Sequence, residues 1–80
     1  MTKDEIFQQL KTIIADTLGV QEDRITMDTD MVNDLGADSL DIVECIMAAE
    51  EQFGVQIPEE PVEKFKTVGD GVEWLEQQLR

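Results

Sequence analysis

The stretch Gly36-Ala37-Asp38-Ser39-Leu40-Asp41 opens a run of good helix formers that continues to Phe53. Asp38 is of a residue type favoured at the N-cap, where a side-chain oxygen accepts a hydrogen bond from an otherwise unpaired amide of the first turn. The sequence therefore predicts a helix that begins at Ser39 and ends near Phe53. The other predicted elements are arranged around this helix.

Two apolar lines run along the predicted helix. At roughly 100° per residue, the wider line faces a core and consists of Ile42, Cys45, Ile46, Ala49 and Phe53. The narrower line consists of Leu40, Val43 and Met47, interleaved with Glu44, Glu50 and Glu51. A helix of a small soluble domain needs only one apolar face. The second line, which starts beside a serine hydroxyl, therefore needs a further explanation.

The composition limits the classes of function. The chain has 80 residues, which suits a single domain over 1–80 and leaves no room for a large enclosed active site. It carries 19 acidic and 6 basic residues and no histidine, giving a formal net charge of -13. Nucleic acids and anionic membranes are disfavoured as partners because both are polyanions, so partners with basic patches are expected. The alternative is that the acidity only aids solubility.

The single cysteine, Cys45, cannot form an internal disulfide, which favours a reducing, cytoplasmic location. It lies on the core-facing line with no histidine to activate it, so buried packing is favoured over a nucleophilic role. No apolar run approaches the ~20 residues needed to cross a bilayer. The segment 1–5 lacks the features of a signal peptide.

Two further long helices are predicted from apolar residues at helical spacing. The first follows a capping box formed by Thr2 and Glu5 and ends near Leu18. The last follows a capping signal formed by Thr67 and Asp70.

Pro58 and Pro61 allow only a short third helix, from about Glu59 to Lys64. The predicted fold class is therefore all-α. Its expected architecture is a four-helix bundle with three longer helices, one short third helix and a long loop between the first two.

The long loop, residues 20–37, has no helical or strand period. Its apolar residues are spaced so that they are expected to fix the loop to the core at several points: Val20, Ile25, Met27, Val32 and Leu35. Asp28, Asp30 and Asp34 suggest a calcium loop, but the sixth position of an EF-hand loop requires glycine and here holds Asn33. No metal site is predicted.

Several kinds of catalysis are disfavoured by what the sequence lacks. A nucleophilic serine needs a nearby base, normally histidine, and zinc sites need clusters of cysteine and histidine. A glycine-rich phosphate loop is also absent. We therefore expect a protein that is not an enzyme.

The motif Asp38-Ser39-Leu40-Asp41 and its surroundings are more specific. Preceded by Leu35-Gly36-Ala37 and followed by Val43-Glu44, Met47, Glu50 and Phe53, it resembles the phosphopantetheine attachment region of acyl carrier proteins. The resemblance extends over the whole chain, including Lys66-Thr67-Val68-Gly69-Asp70 at the start of the last helix. The resemblance is to a stand-alone carrier. The large net negative charge favours a monomer, because two copies of the chain would repel each other.

The resemblance implies a modification site at Ser39. Its hydroxyl would receive 4′-phosphopantetheine from coenzyme A through a separate phosphopantetheinyl transferase, with Asp38 beside the attachment point. The arm would then carry acyl groups as thioesters.

The resemblance also implies a surface for partners. Leu40, Val43 and Met47 would dock into apolar hollows of the transferase and of acyl-processing enzymes, while Asp41, Glu44, Glu50 and Glu51 would meet their basic residues. The alternative is that more than one face of the helix is buried and that Leu40 packs beneath the long loop.

Carriers of this kind can shelter an acyl chain between their helices. The candidate pocket residues are Ile42, Cys45, Ile46, Ala49, Ile57, Val62, Phe65 and Leu75. Cys45 and Ala49 stand where the family often has leucine. Because their side chains are smaller than leucine, they would widen the pocket. Phe65 and Trp74 are bulky and could refill the space.

The first functional hypothesis is a carrier for fatty acid biosynthesis. A carrier for a polyketide or another specialised acyl pathway is the near alternative. A second class of hypothesis is an acidic, non-enzymatic adaptor whose line of Leu40, Val43 and Met47 binds a partner groove.

Overall fold

A computed structural model describes residues 1–58 and 64–79 of the chain. These residues form three α-helices, namely α1 (Lys3–Leu18), α2 (Ser39–Phe53) and α3 (Val68–Gln78), and a 3₁₀ helix at Glu22–Arg24. The all-α prediction is confirmed. The predicted fourth helix is not confirmed, because most of its span, including Val62, lies outside the described residues and Lys64 lies in a turn.

The ends of the helices follow the capping signals in the sequence. Thr2 and Glu5 cap α1, and Thr67 and Asp70 cap α3, each pair through reciprocal bonds between side chain and backbone. At the C-terminal ends of α1 and α2, the chain adopts left-handed backbone angles at glycine, which has no Cβ to oppose them.

The core is built on α1, which packs against both α2 and α3. Its buried members are Ile6, Leu10, Ile14 and Ala15 of α1, Ile25 of the loop, Cys45 and Ala49 of α2, and Val68, Val72 and Leu75 of α3. The helices α2 and α3 have few close contacts with each other. A space therefore remains between them above α1.

The long loop, residues 20–37, is called the strap below. Its middle is bound to the first turn of α3, where the amide of Val68 donates to the carbonyl of Thr29 at 2.9 Å and the amide of Gly69 donates to the carbonyl of Met27 at 2.8 Å. The Thr29 hydroxyl is buried and accepts from the amide of Thr26 at 2.8 Å. The two bonds to α3 hold the strap against the bundle.

The strap contacts the core at most of the predicted points. Ile25 is buried, and Val20, Met27 and Leu35 pack against the core. The prediction for Val32 is wrong, because this side chain is 53% exposed. The cause is a tight turn in which the carboxylate of Asp30 accepts hydrogen bonds from the amides of Val32 and Asn33, both at 2.9 Å.

The cap of α3 makes stability depend on pH. Bonds from the amides of Lys66, at 2.9 Å, and Thr67, at 3.1 Å, lower the pKa of the Asp70 carboxyl. A carboxyl with a lowered folded-state pKa contributes stability above its unfolded pKa of about 3.9, and this stability is lost as the pH falls through the folded value.

We therefore expect the wild type to lose its advantage over Asp70→Asn on acidification. Urea unfolding of both proteins at a series of pH values measures the difference in their free energies of unfolding. That difference should persist near neutrality and shrink as the pH falls from about 3.9 through the lower, folded-state pKa of the Asp70 carboxyl. A difference that is constant over this range would contradict the role given to the Asp70 carboxylate.

Candidate functional site

The side chain of Ser39 lies exposed at the first position of α2. It is the only serine of the chain. The predicted N-cap is confirmed, because Asp38 Oδ1 accepts from the amide of Asp41 at 2.9 Å. In return, the amide of Asp38 donates to Asp41 Oδ2 at 3.2 Å. The hydroxyl is thus presented to solvent from a helix end that is fixed by two carboxylates.

The first turn of α2 retains donors for an anion. Within the described part of the chain, no group accepts a hydrogen bond from the amides of Ser39 and Leu40. Unpaired amides at a helix N-terminus attract negative charge, typically by about 0.3–1 kcal/mol. A phosphate ester on the Ser39 hydroxyl therefore fits this end of the helix, although Asp38 and Asp41 oppose it electrostatically.

The narrower apolar line of α2 is open to solvent. Leu40 is 65% exposed, Val43 49% and Met47 61%. Large apolar side chains with such exposure along one helix edge are typical of a contact surface. The alternative that Leu40 packs beneath the strap is wrong.

The acidic residues of α2 differ in what they do. Glu44 and Glu51 are exposed, whereas Glu50 is half-buried and its Oε2 accepts from the amide of Ile57 at 2.8 Å. Asp41 closes the capping box. Between Arg24 and Lys64 the sequence has eleven acidic residues and no basic one, so this part of the surface favours a basic partner.

A cavity of about 440 Å³ lies between α2 and α3, with α1 as its floor. Seven of the eight predicted pocket residues line it: Ile42, Cys45, Ile46, Ala49, Ile57, Phe65 and Leu75. The eighth, Val62, is outside the described residues. Leu10, Ile14 and Gly71, which were not among the predicted pocket residues, also line the cavity. The helical period of α1 could have identified the first two, but no signal marked Gly71.

The cavity has a polar end and an apolar end. Both α2 and α3 begin beside the strap. Just before α2, the amide of Ala37 donates to the carbonyl of Met31, and at the start of α3 the amide of Val68 donates to the carbonyl of Thr29. The polar lining residues, which are Asp30, Asn33, Lys66 and Thr67, lie in the strap or just before α3. Ala49, ten residues from the start of α2, and Leu75, seven residues from the start of α3, form the walls about 15 Å and 10 Å further along their helices.

Cys45 lies on the wall of this cavity and is 6% exposed. Burial raises the pKa of its thiol above the ordinary value. The thiol therefore stays protonated near neutral pH, and the predicted packing role is confirmed. Its small volume leaves space where a larger side chain would fill the cavity.

In the described ranges, 1–58 and 64–79, no group of three or more His, Cys, Asp and Glu side chains could hold a metal ion. Asp30 and Asp34, which suggested a calcium loop, instead accept bonds from strap amides. No helix in those ranges is long and apolar enough to cross a membrane.

Comparison with known proteins agrees with this geometry. The family profile described as the phosphopantetheine attachment site matches residues 8–75. An acyl carrier protein of Clostridium perfringens is 60% identical over 70 residues, covering 88% of this chain and 92% of that protein. One from Petrotoga mobilis is 51% identical over 79 residues, covering 99% and 93%. One from Lactobacillus acidophilus is 48% identical over 75 residues, covering 94% of each. Because both the profile and these relatives span most of its length, the chain belongs to the acyl carrier protein family.

Proposed function

We propose that this chain carries acyl groups for fatty acid biosynthesis, bound as thioesters to a 4′-phosphopantetheine arm on the hydroxyl of Ser39. The observation that carries the proposal is the exposed Ser39 hydroxyl at the start of α2, inside the matched attachment region. The arm supplies the thiol that holds the acyl group. The chain itself contributes a fixed attachment point, a surface for enzymes and a cavity for the cargo.

The residues around Ser39 support attachment in two ways. The capping box formed by Asp38 and Asp41 fixes the backbone at the serine, so the hydroxyl has a constant position relative to α2. The amides of Ser39 and Leu40 are available to the phosphate of the arm. The acidity of this helix end then serves the approach of a basic transferase.

The cavity supports the cargo role. Its walls are mostly apolar. Its polar end lies beside the strap, near the start of α2, and Ser39 is the first residue of that helix. A chain attached through Ser39 would enter at the polar end and extend toward Ala49 and Leu75. Each methylene group transferred from water to such walls contributes about 0.8 kcal/mol.

The primary test is the intact mass after incubation with coenzyme A, magnesium and a phosphopantetheinyl transferase of broad specificity. The carrier function predicts a mass gain of one phosphopantetheine on every molecule. No gain under conditions that load a known carrier would contradict it and favour the acidic adaptor.

The partner surface is tested by reversing one charge. Glu44→Lys should slow the encounter with the transferase and with acyl-processing enzymes at low ionic strength, because surface charge mainly sets the association rate. Initial loading rates at low transferase concentration measure the effect, and it should fade as salt screens the charges.

The matched control is Asp16→Lys, which changes the net charge equally but places the new lysine on an exposed position of α1. It should slow loading much less than Glu44→Lys. Equal effects of the two variants would mean that net charge, rather than the exposed face of α2, governs the encounter.

A further inference from the structure

Two glycines in the first turn of α3 have different structural roles. Glycine inside a helix is unfavourable relative to alanine, so each needs an explanation. A Cβ built on Gly69 would lie 2.7 Å from the carbonyl oxygen of Met27. Gly69 is therefore required by the strap, which crosses its backbone closely.

Gly71 has no such requirement. Its φ is not positive, and a Cβ built there would lie 3.8 Å from Leu10 Cδ2 and 4.0 Å from Phe65 Cδ2, which are ordinary contact distances. The backbone of α3 would accept alanine at this position. The missing side chain therefore matters for the space beside it rather than for the helix.

That space belongs to the cavity. Gly71 lines it, one turn from Val68 at the polar end and one turn from Leu75 at the apolar end. Cys45 and Ala49 are small residues of α2 on the same cavity, and Leu10 forms the floor. A side chain on Gly71 would project from the middle of the wall toward Leu10 and Phe65.

We propose that Gly71 sets the width of the cavity at its midpoint and thereby determines how long an acyl chain the protein shelters. The inference rests on the proposed carrier function. Long saturated acyl chains pass the midpoint and reach the apolar end, whereas short ones end before it. Gly71 is thus a specificity-determining residue for the length of the cargo.

The test uses the holo protein carrying butanoyl, octanoyl or dodecanoyl thioesters, with Gly71→Val compared with the wild type. Two quantities are measured, namely the rise in Tm on acylation and the rate of thioester cleavage by hydroxylamine. Each methylene displaced from the cavity lowers the ratio of sheltered to exposed acyl chain by about fourfold. The valine variant should therefore cleave dodecanoyl much faster than the wild type does, octanoyl moderately faster and butanoyl at a similar rate.

The control is Gln77→Val, which introduces the same side chain at an exposed position of α3 that does not line the cavity. It should retain the wild-type dependence on chain length. Gly71→Ala, which the helix accommodates readily, should give a smaller effect of the same kind, so the result does not depend on how the valine variant folds.

Compensation gives the sharpest comparison. Phe65→Ala removes the ring that lies beside the position of the new side chain. In the Gly71→Val background it should restore protection of dodecanoyl. The same chain-length dependence in wild type, Gly71→Val and Gly71→Ala would overturn the inference, while failure of the wild type to accept phosphopantetheine would overturn the proposed function instead.

Discussion

Replacing Ser39 by alanine is expected to reduce loading with phosphopantetheine from complete to undetectable. No other serine exists in the chain, and the other hydroxyls belong to threonines outside the exposed start of α2. Intact mass spectrometry after incubation with coenzyme A and transferase measures the effect. Thr12→Ala, which removes an exposed hydroxyl from α1, is the matched control and should load fully.

The loss should not come from unfolding. The Ser39 hydroxyl makes no hydrogen bond within the described residues, and substitutions at such surface positions usually change the free energy of unfolding by less than about 0.5 kcal/mol. Thermal melts of the variant and the wild type should therefore coincide closely. Substantial loading of Ser39→Ala would show that another hydroxyl carries the arm.

The largest effect on stability is expected from Gly69→Ala. The new Cβ would lie 2.7 Å from the carbonyl oxygen of Met27, to which the amide of Gly69 also donates a hydrogen bond at 2.8 Å. Because the Cβ is held rigidly by the helix backbone and the Met27 oxygen belongs to the strap backbone, the strap or the helix must shift. Forced displacement of this kind costs about 1–3 kcal/mol, and the strap bond is weakened with it.

Gly71→Ala is the matched control, since it makes the same chemical change two residues away in the same helix. Its Cβ meets no atom closer than 3.8 Å, so the helix preference for alanine should stabilise it by up to about 1 kcal/mol. Urea denaturation of the two variants measures the contrast. Equal stabilities would contradict the close approach between strap and α3.

The helix boundaries were predictable because their causes are local. A capping residue followed three positions later by its carboxylate partner, as in Thr67 and Asp70, identifies a helix start from sequence alone. The glycine after α2 likewise marks its end. The spacing of Cys45 and Ala49 was enough to place them on the buried side of α2.

The features that the sequence did not predict depend on distant segments. The fit of Gly69 under the strap requires the position of Met27, and the bond from Ile57 to Glu50 requires the chain to fold back over the end of α2. Val32 is exposed because of a turn closed by Asp30. No periodic pattern in the sequence encodes these approaches.

The candidate site shows the same division. The exposure of Ser39 and Met47 follows from the position of each on α2, which the helical period gives. The cavity depends on the separation of α2 and α3, which a sequence pattern does not report. The role of Gly71 likewise depends on the atoms beside it, Leu10 Cδ2 and Phe65 Cδ2, which lie on distant segments.

The carrier function depends on one hydroxyl at the start of α2 being the attachment point. Fragmentation mass spectrometry of the enzymatically loaded wild-type protein tests it most directly, because it identifies the residue that bears the added mass. All of the added phosphopantetheine is expected on Ser39. Added mass on any threonine, or an unmodified Ser39 in the loaded protein, would contradict it.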